Sequence, residues 1–587
     1  MNPLLLLAGC LVLFLGLVVG LGLPVVAGGR LAPGEKLCAG AAVGVVLLYL
    51  FGLVDYWLRL PAPAAALVPL AVLGLQAARW RACAGVLREP ETRSLLGAWL
   101  LVAGWCLGFL ALVRNYSGGG WALDWADHYT RARLFLDQLP ADWRLYGGDR
   151  LPTRPPLVNA VTAVFLSLTS GRFPCFQIFT TLLATLAFLP VWLFAGRFGP
   201  NPPRARALVT VLFMANPSVL QNSTFAWTKL PTVFFVLTGL YFFLPALAAG
   251  SRRRLAVAFL FLAAGVLAHY SAGPYVVAVV AAYGWWRRAS WPRAGFWRDA
   301  VLCALPAALL LATWFGWSLV DFGARGTFLT NTSVTESTVH SWRGFLPEKA
   351  GNLFNSLVPH LLRPVDYGLI AQRSRVGFLR DYFFQLYQVS LPLLFGSIGG
   401  LTLLWLLVRA WRGPRPPEPA VPRGFWLWFV ACTTVLGASA YGGIDQWGVA
   451  HLCLQGLLGL GLAFLAARVE TLPRWWRILF ALGLAADFVL GVGLQFYMEN
   501  LSFPSLETLL ARGSTVLNTY SPSVWVNLWA KVQHGYEFLG DLPLSRPLLI
   551  AVLAGLFALA VARLRREPAA PPPPAAPAGA APVTSHA

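Results

Sequence analysis

The sequence predicts an all-α polytopic membrane protein with about 15 transmembrane helices. Three observations predict it: 57% of the 587 residues are hydrophobic, only 12% are charged, and the mean hydropathy is +0.64. Soluble globular chains carry about 25% charged and about 45–50% apolar residues, whereas a helix that crosses a membrane needs about 20 predominantly apolar residues. This composition excludes a soluble enzyme, a disordered chain and a small secreted protein built on disulfides.

Hydropathy places fifteen candidate helices along the chain. The first apolar run has no basic leader and no small-residue cleavage site, so we expect a retained helix rather than a signal peptide. The candidates span roughly 4–27, 37–57, 62–79, 95–113, 174–196, 206–221, 230–248, 255–268, 274–286, 300–320, 388–408, 424–441, 448–467, 478–497 and 547–563, each about as long as a membrane helix requires or somewhat shorter.

The basic residues predict how these helices are oriented. Every second connection is basic, and this set holds 26 of the 45 Lys and Arg residues, whereas the short connections on the other side hold only Arg59 and Lys229. Positive residues mark cytoplasmic connections, so we expect the N-terminus outside and the C-terminus in the cytoplasm. The heavy use of Arg, Ala, Gly and Pro is typical of a high-GC bacterium, which points to an inner (plasma) membrane.

Three long loops separate groups of the predicted helices. The predicted outer face carries these loops, 114–173, 321–387 and 498–546, and long loops commonly carry function. We expect a disordered Pro/Ala-rich tail in 567–587.

The most distinctive segment follows the fourth candidate helix. If residues 120–131 are helical, Asp124, Asp127, His128 and Arg131 fall at i, i+3, i+4 and i+7, on one face. A carboxylate can accept a proton from an attacking hydroxyl, and an arginine can neutralise a departing phosphate. The alternative is an amphipathic surface helix with an ordinary i,i+4 ion pair worth a few tenths of a kcal/mol.

Other outer connections add polar residues. Arg154 precedes two prolines and a predicted short interfacial helix at 157–169, and it either faces the site or extends toward lipid headgroups. Lys229 contradicts the orientation rule, which indicates an anionic partner, a lipid headgroup or a ligand. His269 and Tyr270 lie in a tight polar turn, which either contributes to a site or caps a helix.

Four further charged residues are interpreted differently: two as candidate site residues and two as structural. Arg373 and Arg375 have the chemistry to hold a phosphate bidentately. Asp445 is interpreted as a turn residue, and Asp487, within a candidate helix, as a structural hydrogen-bonding group, because a charge at membrane depth is costly unless its neighbours satisfy it. No closed metal cage is present, although two nearby carboxylates are compatible with a divalent ion held together with a substrate phosphate.

Together these segments resemble the GT-C superfamily of membrane glycosyltransferases, in particular the bacterial protein-mannosyltransferase-like and lipid A glycosyltransferase branch. The resemblance is carried by Asp124, by Asp127-His128-Tyr129 and by Arg154-Pro155-Pro156-Leu157, and it covers roughly 95–410. It implies a GT-C-like catalytic core in 95–410 with interfacial helices in the outer loops, preceded by a block of three transmembrane helices in 1–94 and followed by further transmembrane helices in 411–566. It also implies inverting transfer of a hexosyl or pentosyl group from a polyprenyl-phosphate donor to a lipid, glycan or protein acceptor at the outer face.

The resemblance also implies residue roles. Asp124 or Asp127 would be the general base, beside His128; many members have adjacent acidic residues where this chain has Asp127-His128, which leaves the choice of base open. The Trp-Trp-Asp-Tyr-Gly signature of oligosaccharyltransferases is absent, which argues against en bloc transfer to asparagine. The residues assigned to the donor phosphate are Arg131, Arg154, Lys229, His269, Tyr270, Arg373 and Arg375.

Two other classes of function compete with this one. A transporter or flippase of a lipid-linked or anionic glycan would place ionisable groups near the bilayer midplane, whereas this sequence places them at the outer face. A non-catalytic assembly subunit would depend on a stable protein partner. Nucleic acid is not expected as a partner, because the basic residues punctuate apolar runs instead of clustering on one water-facing surface.

Overall fold

The protein is built from helices. A computed structural model describes residues 2–116, 124–145, 148–330, 342–365, 385–413, 423–493, 496 and 529–567, and these contain 22 α-helices and no β-strand. The α-helices are α1 (Pro3–Val26), α2 (Pro33–Leu58), α3 (Leu67–Arg88), α4 (Pro90–Leu110), α5 (Asp124–Leu136), α6 (Leu157–Ser167), α7 (Phe173–Thr185), α8 (Phe188–Phe198), α9 (Pro202–Ala215), α10 (Pro217–Thr224), α11 (Lys229–Ala249), α12 (Arg252–Ala268), α13 (Gly273–Arg287), α14 (Ala294–Phe328), α15 (Trp342–Leu357), α16 (Leu391–Leu394), α17 (Gly399–Arg412), α18 (Arg423–Ser439), α19 (Ala450–Cys453), α20 (Gln455–Arg468), α21 (Arg474–Val492) and α22 (Arg546–Arg566).

Within the described ranges, nine helical segments are long and apolar enough to cross a membrane, so the chain is an integral membrane protein. All fifteen candidate segments coincide with helices, but several of those helices are shorter than a span, and the count of about 15 spans stays a prediction. The nine are Pro3–Val26, Pro33–Leu58, Ala62–Arg88, Pro90–Leu110, Phe173–Phe198, Lys229–Ala248, Gly295–Phe328, Arg474–Val492 and Arg546–Arg566.

Four segments expected to be single helices are each divided in two: 174–196, 206–221, 388–408 and 448–467. In 206–221 the expectation of one continuous helix is wrong because Pro217 has no N–H to continue the hydrogen-bond ladder and instead occupies the first turn of α10. The side chain of Asn216 accepts a hydrogen bond from the Val219 N–H at 2.9 Å, which caps the new helix.

The break between α16 and α17 is held by Asp487. Its carboxylate accepts hydrogen bonds from the Tyr387 hydroxyl at 2.9 Å and from the Ser397 N–H and hydroxyl at 2.7 and 3.0 Å. Gly396 has a φ of +89°, and a Cβ there would lie 2.5 Å from the Asp487 Oδ2. The prediction that Asp487 is a structural hydrogen-bonding group is confirmed. Its hydrogen bonds stabilise the break between α16 and α17.

The buried core lies in the middle of the bundle. The spanning window of Phe173–Phe198 is completely buried in protein, whereas that of Gly295–Phe328 is only 17% buried. On α14, Val301 and Leu309 are 63% and 61% exposed, as is usual for side chains that contact lipid. α5 and the short α6 pack on each other and on α2, so the first predicted outer loop, 114–173, contains a buried helix pair.

The helices α1 and α2 approach each other at glycines. A Cβ on Gly22 would lie 1.8 Å from the Gly40 carbonyl oxygen, and one on Gly44 would lie 1.8 Å from the Val18 carbonyl oxygen. Small residues spaced four apart allow close backbone approach of membrane helices, where van der Waals packing supplies much of the association energy. This contact joins the first two helices to the same core that contains α7.

The first testable prediction concerns this contact. Gly22→Ala forces α1 and α2 apart, because the new methyl group would overlap backbone, and we expect the apparent unfolding temperature in detergent to fall by several degrees. Gly16→Ala, on the same helix, is the matched control, because a Cβ there meets nothing within 4 Å. Equal unfolding temperatures for the two variants would contradict this account of the packing.

Candidate active site

The helix α5 turns its polar face inward. It begins at Asp124, and Asp127, His128 and Arg131 on the same face are only 4%, 2% and 1% exposed. The alternative of an amphipathic helix lying on a surface does not describe this helix, because α6 and the 3-10 turn Leu151–Thr153 cover the face. The four residues predicted to share a face are therefore brought together in a protected position.

Arg154 bridges the two carboxylates of this face. Its Nη2 lies 2.6 Å from the Asp124 Oδ1, and its Nε lies 3.0 Å from the Asp127 Oδ2. The prolines that follow Arg154 start α6, and the turn before it fixes the direction from which the guanidinium enters. Of the two roles expected for Arg154, the structure places it at the site and not toward lipid headgroups.

Arg131 fastens this arrangement from the other side. Its Nε lies 2.8 Å from the Asp127 Oδ2, Nη1 donates to the Leu151 carbonyl at 2.8 Å, and Nη2 donates to the Thr153 hydroxyl at 2.6 Å. Protein acceptors thus engage all three nitrogens of the buried guanidinium. Arg131 ties α5 to the turn that carries Arg154, and its role in binding a donor phosphate stays a prediction.

Lys229 approaches the site from the start of α11. The Trp227 Nε1 donates to the Asp124 Oδ2 at 2.9 Å, and the Lys229 Nζ lies 3.5 Å from the centre of the Trp227 ring. Lys229 is 3% exposed, and its ammonium has no hydrogen-bond partner among the described residues. Ala226 has a φ of +63°, a costly conformation for a residue with a Cβ, which sets the direction of the indole.

Two histidines and a tyrosine border the same cluster. The His128 Nδ1 lies 3.3 Å from the Asn159 Oδ1, so Nδ1 carries the proton and Nε2 the lone pair. The His269 Nδ1 accepts the Ser271 N–H at 3.1 Å, which leaves a proton on its Nε2. The Tyr270 hydroxyl donates to the Pro152 carbonyl at 3.4 Å.

Burial and charge set the ionisation of these groups. Burial acts to raise the pKa of Asp124, but Arg154 and Lys229 outweigh it and hold that pKa well below its usual range. The pKa of Asp127 is lowered in the same way, because Arg131 and Arg154 outweigh its burial. Burial and the charge of Arg154 lower the pKa of His128 to about 4, so at neutral pH the site holds two carboxylates and an uncharged imidazole.

The structure thus brings together Asp124, Asp127, His128, Arg131, Arg154, Lys229, His269 and Tyr270. Arg373, Arg375 and residues 117–123, which include the first part of the distinctive segment, lie outside the described residues. Sequence reasoning missed Trp227 and Asn159 as site residues. Trp227 lies two positions before Lys229, but its bond to Asp124 joins residues 103 positions apart, which no local pattern reports.

The sequence left open a divalent ion at the two carboxylates, and the residues around them do not favour one. The Arg154 guanidinium contacts both of them at 2.6 and 3.0 Å and supplies the positive charge that a metal ion would. No group of three or more His, Cys, Asp or Glu side chains in the described ranges is arranged to hold a metal.

The chain was compared with known proteins. No protein family model and no curated protein matches it. Two solved structures of ArnT from Cupriavidus metallidurans are similar at 16% sequence identity: one bound to undecaprenyl phosphate, with a TM-score of 0.43 over 81% of this chain and 76% of that one, and one in the apo state, with a TM-score of 0.42 over 80% and 74%. The site described above rests on the contacts of this chain alone.

The second prediction follows from His128. Because its folded pKa of about 4 lies below the unfolded value of about 6.5, the unfolded chain takes up the proton first. The stability due to neutral His128 is complete above about pH 6.5 and is lost as the pH falls toward 4. Apparent unfolding temperatures measured from pH 7.5 to pH 4.5 should fall less steeply in His128→Asn than in the wild type.

The control is His534→Asn, because the His534 side chain is exposed, whereas that of His128 is buried; His534 contacts Tyr536, which packs on Tyr129 of α5. We expect its profile to parallel that of the wild type. A His128→Asn profile that is also parallel would show that the imidazole does not resist protonation in the folded protein.

Proposed function

We propose that the protein is a membrane glycosyltransferase that moves a sugar from a polyprenyl-phosphate donor to a lipid, glycan or protein acceptor at the outer face of a bacterial inner membrane. One observation carries the proposal: the Lys229 ammonium is buried without a hydrogen-bond partner among the described residues, next to Asp124, whose oxygens are already engaged. A buried ammonium without a hydrogen-bond acceptor is costly, so this position favours an anionic ligand.

The position of Lys229 suits a lipid phosphate. It is the first residue of α11, an apolar helix long enough to cross a membrane. A phosphate held at Lys229 would lie at the boundary between hydrocarbon and water, while its isoprenoid tail would remain in the apolar region, where burial of each CH₂ contributes about 0.8 kcal/mol. His269 and its Nε2–H provide a second donor on the same side of the site.

Asp124 is the better candidate for the general base. Its side chain is 17% exposed, whereas that of Asp127 is 5% exposed, so an acceptor hydroxyl reaches Asp124 more readily. Asp124 would take the proton of the acceptor hydroxyl as the hydroxyl oxygen attacks the anomeric carbon. The bond from that carbon to the phosphate oxygen breaks, the polyprenyl phosphate leaves with the electron pair, and attack from the opposite side inverts the configuration.

Donor binding would also activate the base. Lys229 and Arg154 keep the pKa of Asp124 low while their charges act on its carboxylate. A phosphate that engages Lys229 would compensate part of that charge and raise the pKa of Asp124 toward its ordinary value. The carboxylate would then be more basic with donor bound than without it, which couples proton transfer to the presence of the sugar.

The remaining residues would position these groups. Asp127 and Arg131 would hold Arg154 in place, and Tyr270 would fix the turn that carries Arg154 through the Pro152 carbonyl. This division of roles leaves Asp124, Lys229 and His269 to touch substrate. The outer-face assignment rests on the distribution of basic residues, with the N-terminus outside and the C-terminus in the cytoplasm.

The third prediction tests the base. Asp124→Asn should lower sugar transfer at least 100-fold, the usual range for loss of a general base, while polyprenyl-phosphate binding is retained. Transfer is measured by mass spectrometry of acceptor extracts after incubation with candidate isoprenoid-linked sugars. The matched control is Asp137→Asn, which removes an exposed carboxylate that pairs with Arg133 just after the end of α5. This variant should keep full activity.

Full transfer by Asp124→Asn would remove the catalytic assignment. Transport of the lipid-linked glycan across proteoliposomes without any covalent product would favour the transporter or flippase alternative.

The fourth prediction tests the phosphate site. Lys229→Met keeps the length of the apolar side chain but removes the charge, and we expect polyprenyl-phosphate affinity to fall by about tenfold or more, since hydrogen bonds to charged groups contribute roughly 1.5–3 kcal/mol. The dissociation constant is measured on purified protein in detergent. Lys36→Met, at the start of α2 and away from the site, should bind as the wild type does; equal affinities in all three proteins would refute the assignment.

A further inference from the structure

A cavity with a partly polar lining lies at the opposite ends of the helices that build the candidate site. It has a volume of about 300 Å³ and is formed where α11 ends, α12 begins, α13 ends and α14 begins. Its polar lining includes Arg252, Arg287, Arg293 and Asp299, and its apolar lining includes Phe296. None of these residues takes part in the site described above.

The cavity carries uncompensated positive charge. The Arg252 Nη2 lies 2.6 Å from the Asp299 Oδ2, so that pair is neutral overall. Arg287 and Arg293 have no carboxylate within 4 Å in the part of the chain that the structure describes. Guanidinium groups match the oxygens of a phosphate with paired hydrogen bonds, so these two side chains favour an anionic group of that chemistry.

The length of the helices indicates on which side of the membrane the cavity lies. α11 runs from Lys229, at the candidate active site, to Ala249, beside Gly250 of the cavity lining. Twenty-one residues of α-helix are about 31 Å long, close to the hydrocarbon thickness of about 30 Å. α12 connects the same two places, from Arg252 to Ala268. The cavity therefore faces the leaflet opposite the candidate active site.

Aromatic residues place the cavity at headgroup level. Trp285, Trp291 and Trp297 around it are 61%, 46% and 56% exposed, and tryptophan is enriched where membrane meets water. The Arg288 guanidinium lies 4.3 Å from the centre of the Trp285 ring. On α14, just beyond the cavity, exposed apolar side chains such as Leu305 continue toward the middle of the membrane.

From this arrangement we infer that the cavity binds the headgroup phosphate of an anionic phospholipid from the cytoplasmic leaflet. Arg287 and Arg293 hold the phosphate, and the acyl chains lie along the exposed apolar face of α14. Basic pockets between transmembrane helices on the cytoplasmic side bind anionic lipids through this chemistry. The inference does not depend on the proposed glycosyl transfer, because it rests on a different cavity and a different leaflet.

The fifth prediction tests this site on the full-length protein purified in detergent. Short-chain phosphatidylglycerol is titrated and bound lipid is counted by native mass spectrometry. The double variant Arg287→Gln and Arg293→Gln should bind it at least about tenfold more weakly than the wild type, because the headgroup phosphate loses both arginines that would hold it. Arg287→Lys with Arg293→Lys keeps the charge and should restore part of the affinity.

The matched control is Arg565→Gln with Arg566→Gln, which removes the same charge from the exposed end of α22 and should bind phosphatidylglycerol as the wild type does. Unfolding temperatures show whether the cavity variant is folded, and the lysine variant replaces it if it is not. Three outcomes overturn the inference: equal binding by the cavity and control variants, equal binding of phosphatidylcholine, or complete displacement of the lipid by millimolar inorganic phosphate, which would make this a free-phosphate site.

Discussion

The ion pairs of Arg154 with Asp124 and Asp127 are the interaction on which the candidate site depends. They join the chain before α6 to the inward face of α5. Arg131 stabilises the adjoining turn, Leu151–Thr153, by donating a hydrogen bond to the Leu151 carbonyl. Removing one partner from a buried set of charges leaves the others uncompensated, which costs several kcal/mol. The carboxylates are thereby kept ionised inside a largely apolar bundle, where burial by itself would favour their protonated form.

This arrangement is asymmetric, and the asymmetry gives the site its proposed chemistry. On one side, Arg131 and Arg154 both hold the Oδ2 of Asp127; on the other, Trp227 holds Asp124 and contacts Lys229 through its ring. The side with two arginines is suited to holding geometry. The side with Lys229, whose ammonium has no hydrogen-bond acceptor among the described residues, is suited to receiving an anion, and an anion there would relieve the charge that lowers the pKa of Asp124.

The bundle places its two polar clusters at different depths in the membrane. Helices such as α7 and α8 are enclosed by protein, while α14 and α22 present apolar side chains outward, as lipid contact requires. Because α11 and α12 are about as long as the membrane is thick, the carboxylate cluster and the arginine cavity lie at opposite ends of the same helices. Polar residues inside the bundle, such as Asp487 and Asn216, are used where helices break.

The sequence by itself determined the all-α membrane fold, the helical segments and the shared face of Asp124, Asp127, His128 and Arg131, because composition and helical periodicity act over neighbouring residues. It also indicated that Lys229 needs an anionic partner. Only the tertiary structure decided that Arg154 pairs with both carboxylates, that Arg131 donates its hydrogen bonds to protein acceptors and that the Trp227 indole donates to Asp124. Those contacts join residues up to 103 positions apart, and helix packing, which local patterns do not encode, brings them together.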